Sequence, residues 1–210
     1  MVFSLYKSIV RRQYAPKRSE GNPLVLYNRG CFIAKVGLME LIEIILFIFP
    51  AYIANSAPVI FSGGGPLDLS LNLPDKRRLL GDSKTVRGTI GGLAAGFAIG
   101  ALLSYFIPDY LASVTTLPQK LEISALMVSG AIFGDLLGSF FKRRLNIRPG
   151  EPLFVTDQLL FILTAILFTY LAKGFYLSLG DLGTIIIITL VMHILANVIA
   201  HKLSLKKVPW

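Results

Sequence analysis

The sequence predicts an all-α integral membrane protein, with five transmembrane helices and two charged cytoplasmic loops. Three observations carry this. Hydrophobic residues fill 54% of the 210 positions at a mean hydropathy of +0.66, and only 16% are charged, a membrane composition rather than that of a soluble domain around one core. Five apolar stretches reach the roughly 17 to 25 residues that a bilayer crossing needs. Lys and Arg gather in alternate loops, which marks those loops as cytoplasmic.

The chain opens on a stretch that fits none of this. Residues 1–38 carry seven Lys and Arg against one Glu, and Met39 stands directly before the first span. The stretch lacks the apolar core of a signal peptide, and the charge rule would leave it outside. The expectation is a basic extension over 1–38, disordered or a mis-assigned start, followed by a five-helix domain over 39–210; a basic arm held on anionic lipid is the alternative. The lone cysteine, Cys31, falls in the extension, so no intrachain disulfide can form.

The first span is expected over Leu41–Phe61, with Asn55, Ser56 and Pro58 as polar or helix-breaking positions inside it. Proline frees a backbone carbonyl, which can bend the helix or line a cavity. The next loop holds Gly63-Gly64-Gly65-Pro66-Leu67-Asp68, then Asp75, Lys76, Arg77 and Arg78, then Gly81-Asp82-Ser83-Lys84-Thr85-Val86-Arg87-Gly88. Lys84, Thr85 and Arg87 lie just before a helix start, whose free N–H groups attract anions. The composition suits a triphosphate cradle, although no Walker A pattern occurs. Positive-inside topology alone accounts for Arg77 and Arg78 but poorly for Asp68, Asp82, Thr85 and the glycines.

The second span is expected over Gly88–Ile107 and the third over Leu121–Phe141. Gly88, Gly92, Gly96 and Gly100 recur every fourth residue, as do Gly130, Gly134 and Gly138. That spacing puts each set on one face, where a neighbouring helix can approach closely. Asp135, Ser139 and Lys142 share a face at i, i+4 and i+7, an expensive stripe inside a membrane. The fourth span, Phe154–Ala172, carries Asp157 near its start. A short loop makes the third and fourth spans antiparallel neighbours, so the two carboxylates reach a similar depth and offer the oxygen ligands that Mg²⁺ prefers. The fifth span, Leu182–Ala200, carries His193, Asn197 and His201 on one face. The two imidazoles stand about 12 Å apart along the axis, which favours packing or cavity lining over a shared ion.

The basic loops set the orientation. Lys76 to Arg87 follow the first span, Lys142, Arg143, Arg144 and Arg148 follow the third, and Lys202, Lys206 and Lys207 end the chain, whereas the opposite loops hold only Lys120 and Lys173. The first span is therefore expected to run inward from outside, the C-terminus to be cytoplasmic, and both charged blocks to face the cytoplasm.

In their order these pieces closely resemble the archaeal CDP-archaeol synthase family, CTP:2,3-di-O-geranylgeranylglycerol-1-phosphate cytidylyltransferases. The resemblance runs from Asn55-Ser56-Ala57-Pro58 through Gly65-Pro66-Leu67-Asp68, Gly81 to Gly88, Gly134-Asp135, Ser139, Lys142-Arg143 and Asp157-Gln158 to Lys207-Val208-Pro209-Trp210, and covers about residues 39–210. Ser139 to Arg143 also looks like the signature of bacterial and eukaryotic phosphatidate cytidylyltransferases, but their second acid after Asp157 is missing here. The resemblance implies transfer of CMP from CTP to an unsaturated ether-lipid phosphate, with release of pyrophosphate. It also implies Mg²⁺ on Asp135 and Asp157, and charge stabilisation by Lys84, Arg87, Lys142 and Arg143. Substrate contacts would come from Asn55, Ser56, Asp68, Arg77, Asp82, Lys84, Thr85, Arg87, Gly88 and Ser139. No nucleic-acid partner is expected, and an oligomer stays open. A CDP-alcohol phosphotransferase is disfavoured because no Asp-Gly-x-x-Ala-Arg occurs. The rival from another class is a polytopic transporter or scaffold without nucleotide chemistry, which the lack of internal symmetry weakens.

Overall fold

A computed structural model of the chain describes residues 41–202 apart from 108–109, 112–113, 115, 149–150, 152, 154 and 175–176. The basic extension over 1–38 with Cys31, and the terminal Lys207-Val208-Pro209-Trp210, lie outside the described residues. Five helices follow one another: α1 (Leu41–Ile60), α2 (Val86–Phe106), α3 (Leu117–Arg144), α4 (Thr156–Lys173) and α5 (Leu179–Lys202). Each is long and apolar enough to cross a bilayer.

The expected spans are all present, and their ends move for local reasons. Thr85 caps α2, its hydroxyl accepting the Gly88 N–H at 3.1 Å, so the helix starts at Val86. Pro118 in the first turn lets α3 begin at Leu117, which draws Lys120 out of a loop and into a buried helical position. At its other end α3 continues to Arg144, because three cations in the last turn complement the helix dipole. Ser178 and Asp181 form a capping box at the start of α5, with the Ser178 hydroxyl 2.7 Å from the Asp181 carboxylate and accepting the Asp181 N–H at 3.0 Å.

Helix α3 is the hub. It packs most extensively on α4 and also touches α1 and α2, while α5 leans lightly on α4 and α1. The patterned glycines make the close approaches. A Cβ added at Gly96 would meet Ala54 and the Pro50 carbonyl of α1, and one at Gly130 would meet the backbone of Thr164 and Ala165 in α4. Pro58 cannot donate to the Ala54 carbonyl one turn earlier, and that oxygen faces Gly92 of α2 across a gap too narrow for a methyl group. Between these seams sits an apolar core containing Phe47, Met127, Val128, Phe161 and Ile162, all at most 2% exposed.

The segment between α1 and α2 folds into a compact loop. Leu67 N–H donates to the Lys84 carbonyl at 2.7 Å, Val86 N–H to Gly65 at 3.2 Å, Leu73 N–H to Arg77 at 2.9 Å and Leu79 N–H to Leu71 at 3.0 Å. Two isolated β-bridges, Pro66 with Thr85 and Asn72 with Arg78, come from this pairing. Gly63 and Gly64 have φ of +123° and +78°, a turn that L side chains resist.

Candidate active site

The loop, the basic last turn of α3 and the acidic start of α4 meet around two adjoining cavities of about 270 and 290 Å³. Ser83, Lys84 and Asp135 belong to both, so the loop forms the partition between them. The first cavity is rich in charge. Asp135, Ser139, Lys142 and Arg143 enter it from α3, Asp157 from α4 and Lys84 from the loop. The second is more neutral, with Asn55 and Pro58 from α1, Thr85, Gly88 and Thr89 from the start of α2, and Ile132 and Leu136 from α3.

Two ion pairs organise the charged cavity. Lys84 Nζ lies 2.5 Å from Asp135 Oδ2, joining the loop to α3, and Lys142 Nζ lies 2.7 Å from Asp157 Oδ2, joining α3 to α4. The glycine seam explains why these groups can meet. A side chain at Gly134 would collide with Thr164 and the Leu160 carbonyl, so Asp135 is carried on a part of α3 pressed against α4. Asp157 is fixed from its own side as well, because its carboxylate accepts the Leu153 N–H at 3.0 Å. There it faces the positive end of the α4 dipole. Val155, just before it, has φ of +69°, a strained setting for a β-branched residue.

Arg143 is the cation left over. Among the described residues its guanidinium forms no ion pair, its Nε is buried without a hydrogen-bond partner, and its stem lies against the bare backbone of Gly81. A buried donor with no acceptor is costly, and the cavity gives it an anion-sized place to point. The donor set also fits a hard divalent ion. Asp135 and Asp157 bring two carboxylates to one cavity, and among the described residues no group of three or more His, Cys, Asp or Glu could cage a metal alone. Mg²⁺ is usually held in this way, by one or two carboxylates with substrate phosphates and water completing the shell.

Other expected site residues are placed elsewhere. The Asp68 side chain is fully buried inside the loop, 2.7 Å from Arg78 Nη2, and accepts N–H bonds from Leu80 at 2.9 Å and Gly81 at 3.1 Å. Burial alone would raise its pKa, but Arg78 and the backbone donors hold it well below the usual carboxylate range. Asp68 is thus a staple of the loop, not a wall of either cavity. Asp82 is exposed and pairs with Arg78 at 2.8 Å. Arg77 donates to the Arg144 carbonyl, and Arg87 lies over Gly63 and Gly64. The Ser56 hydroxyl is used within α1, donating to the Tyr52 carbonyl at 2.9 Å. None of these five lines either cavity. His193, Asn197 and His201 also stay outside them, with the His193 ring 6.2 Å from that of Phe161. Conversely, Thr156 and Phe161 of the charged cavity and Ser62, Val59 and Thr89 of the neutral one escaped the sequence reading, and Ser83 entered it only as part of the Gly81 to Gly88 block. All but Phe161, which stands one turn beyond Asp157, adjoin a singled-out residue, but nothing local says that they face inward.

Comparison with known proteins bears on this site. A family model described as "CarS-like: CDP-archaeol synthase" matches residues 37–210. CDP-archaeol synthase of Pyrococcus horikoshii is 42% identical over 171 residues, spanning 81% of this chain and 98% of the relative. That of Methanopyrus kandleri is 42% identical over 172 residues, spanning 82% and 95%. A solved structure reported as an intramembrane enzyme for archaeal membrane lipids biosynthesis superimposes with a TM-score of 0.66 at 39% identity, covering 75% of this chain and 94% of the other.

Proposed function

The chain belongs to the CDP-archaeol synthase family, membrane cytidylyltransferases of archaeal lipid biosynthesis, and from that premise we propose that the charged cavity is where CMP moves from CTP to the phosphate of an unsaturated archaeal ether lipid. The observation that carries this reading is the pair of carboxylates, Asp135 and Asp157, each held by one lysine on a cavity that also contains the unpaired Arg143.

The reaction asks little of a general base, since the attacking lipid phosphate oxygen is already an anion. It bonds to the α-phosphorus of CTP, the α–β anhydride bond breaks, and pyrophosphate leaves with the electron pair. What the protein supplies is position and fixed positive charge. Arg143 and Lys142 face the phosphates from α3, and Lys84 faces them from the loop, where it can release Asp135 for a phosphate oxygen. Asp135 and Asp157 are the residues that would hold Mg²⁺, which when bound would neutralise phosphate charge. Ser139, whose hydroxyl donates to the Asp135 carbonyl at 3.2 Å, keeps a lone pair for the cavity. Asn55, Thr85 and Gly88 line the neutral cavity next door and are assigned to the nucleoside. Arg87 is assigned to leaving-group charge from the rim, reaching in only if its stem leaves the Gly63–Gly64 turn.

The same reading sets sidedness. The basic loop and the last turn of α3 belong on the cytoplasmic side, where CTP is, with the start of α1 outside. The test is pyrophosphate release by purified protein given CTP, Mg²⁺ and either digeranylgeranylglyceryl phosphate or phosphatidic acid, with ATP and GTP as controls. Release with CTP and the ether lipid, matched by a CDP-lipid product, is the expected result. Folded protein that releases nothing with either lipid would overturn the proposal.

A further inference from the structure

Arg144 lines neither cavity, yet it is the most heavily used side chain at the junction of loop and bundle. Its Nη1 donates to Asp75 Oδ1 at 3.0 Å, its Nη2 donates to the Arg78 carbonyl at 2.5 Å, and its guanidinium carbon stands 5.3 Å from the centre of the Phe140 ring. The Arg144 carbonyl in turn accepts from Arg77. The last residue of α3 therefore grips the loop through three of that loop's residues. From the grip the connection runs inward without a gap. Arg78 holds Asp68, Asp68 holds the N–H groups of Leu80 and Gly81, and two residues later Ser83 and Lys84 form the partition of the cavities.

The partner of Lys84 stands on the same helix as the grip. Asp135 and Arg144 are nine positions apart on α3, about 13 Å along a rigid rod. One helix thus carries both the carboxylate that Lys84 must face and the clamp that decides where the Lys84 backbone lies. We infer that Arg144 is a positioning residue for the nucleotide reaction, acting through the docked loop to set Lys84 opposite Asp135 rather than by touching substrate. A planar, forked guanidinium suits this task, since it satisfies a carboxylate and a carbonyl at once while its face rests on an aromatic ring. Lysine at the same place offers one point charge and no fork.

This inference rests on the proposed function for its kinetic arm only, and the test separates the two. Arg144→Gln, Arg144→Lys and the exchanged pair Arg144→Asp with Asp75→Arg are prepared in the full chain. Three quantities are read for each: hydrogen exchange of residues 66–84, acylation of the Lys84 amine by mass spectrometry, and steady-state kinetics. Arg144→Gln is expected to speed exchange in the loop but not in α3 or α4, and to raise Lys84 labelling severalfold. It should lower kcat/KM for CTP by about tenfold to a hundredfold while leaving KM for the lipid phosphate in place. Arg144→Lys should fall between parent and Gln, and the exchanged pair should recover part of the loss. Parental exchange and labelling in Arg144→Gln would overturn the positioning role. So would a loss spread evenly over the whole bundle, which marks simple destabilisation, with Arg144→Lys as the milder variant that tells the two apart. If the parent itself releases no pyrophosphate, the function fails while exchange and labelling still decide the role of Arg144.

Discussion

The loop and the cavity it walls use the same two ingredients, a carboxylate and a cation, to opposite ends. Asp68 in the loop is sealed, with its side chain 0% exposed and Arg78 plus three backbone N–H groups on its oxygens. Asp135 and Asp157 are 26% and 31% exposed, and each has a single lysine within ion-pair reach. A carboxylate satisfied on every side is committed to structure, because removing any donor leaves a buried charge short. One held by a flexible ammonium at the edge of a cavity can exchange that partner for another cation and hand the lysine to a phosphate. The number and kind of donors around each acid, rather than its mere presence among basic residues, separates framework from chemistry here.

The sharpest way to break the contrast is to neutralise each kind of acid. Asp135→Asn or Asp157→Asn should take turnover below detection while the melting temperature holds, since an amide is a poor ligand for a hard cation. Turnover surviving in both variants would strip the cavity carboxylates of their role. Asp68→Asn should act in the reverse order, on the loop first and on activity through it. Its loss leaves Arg78 and the Leu80 and Gly81 donors short of acceptors, a local cost of about 1 to 3 kcal/mol. Limited proteolysis should cut between Pro66 and Gly81 before the helices melt, and parental resistance would erase the distinction.

Acid offers a milder version of the same experiment. Asp68 ionises at lower pH in the folded loop than in an unfolded chain, so its contribution is complete above the ordinary aspartate pKa of about 3.9 and declines as pH falls from there toward the folded value. Loop cleavage by an acid-active protease should therefore rise as pH falls from about 4 to about 2.5, and a flat profile would show that the staple does not govern opening. The smallest effect belongs to α1. Ser56→Ala should leave KM for CTP unchanged, since that hydroxyl is spent on its own helix, whereas Asn55→Ala should raise it about threefold to tenfold. Equal effects from the two would dissolve the neutral cavity as a nucleoside site.

The helices were legible because hydrophobic length and glycine spacing are local signals, and Asp135 with Asp157 stood out because charge inside an apolar run demands a reason. The loop was not legible in the same way. The resemblance puts Asp68, Asp82 and Arg77 among the substrate contacts, yet their partners are set by a turn that doubles back between Leu71 and Leu79, and by Arg144, 66 positions beyond Arg78. No periodicity announces such pairing. Lys84 was recognised as important, but that it bonds Asp135, 51 positions away, depends on α1, α2 and α3 closing around Pro50, Gly96 and Val128, which only the packed bundle reveals.

The unequal lengths of α3 and α4 bear on the membrane itself. Gly134 and Phe161 lie level at the seam; from there α3 runs on to Arg144, while α4 starts at Thr156, so the wall on the α4 side stands about 7 Å lower. With only 18 residues, α4 spans about 27 Å against a hydrocarbon layer of about 30 Å. A bilayer can meet so short a wall by thinning beside it. In the proposed reaction this lower wall, with Asp157 near its top, would leave the cavity open toward the α4 side, so that a lipid could present its phosphate sideways.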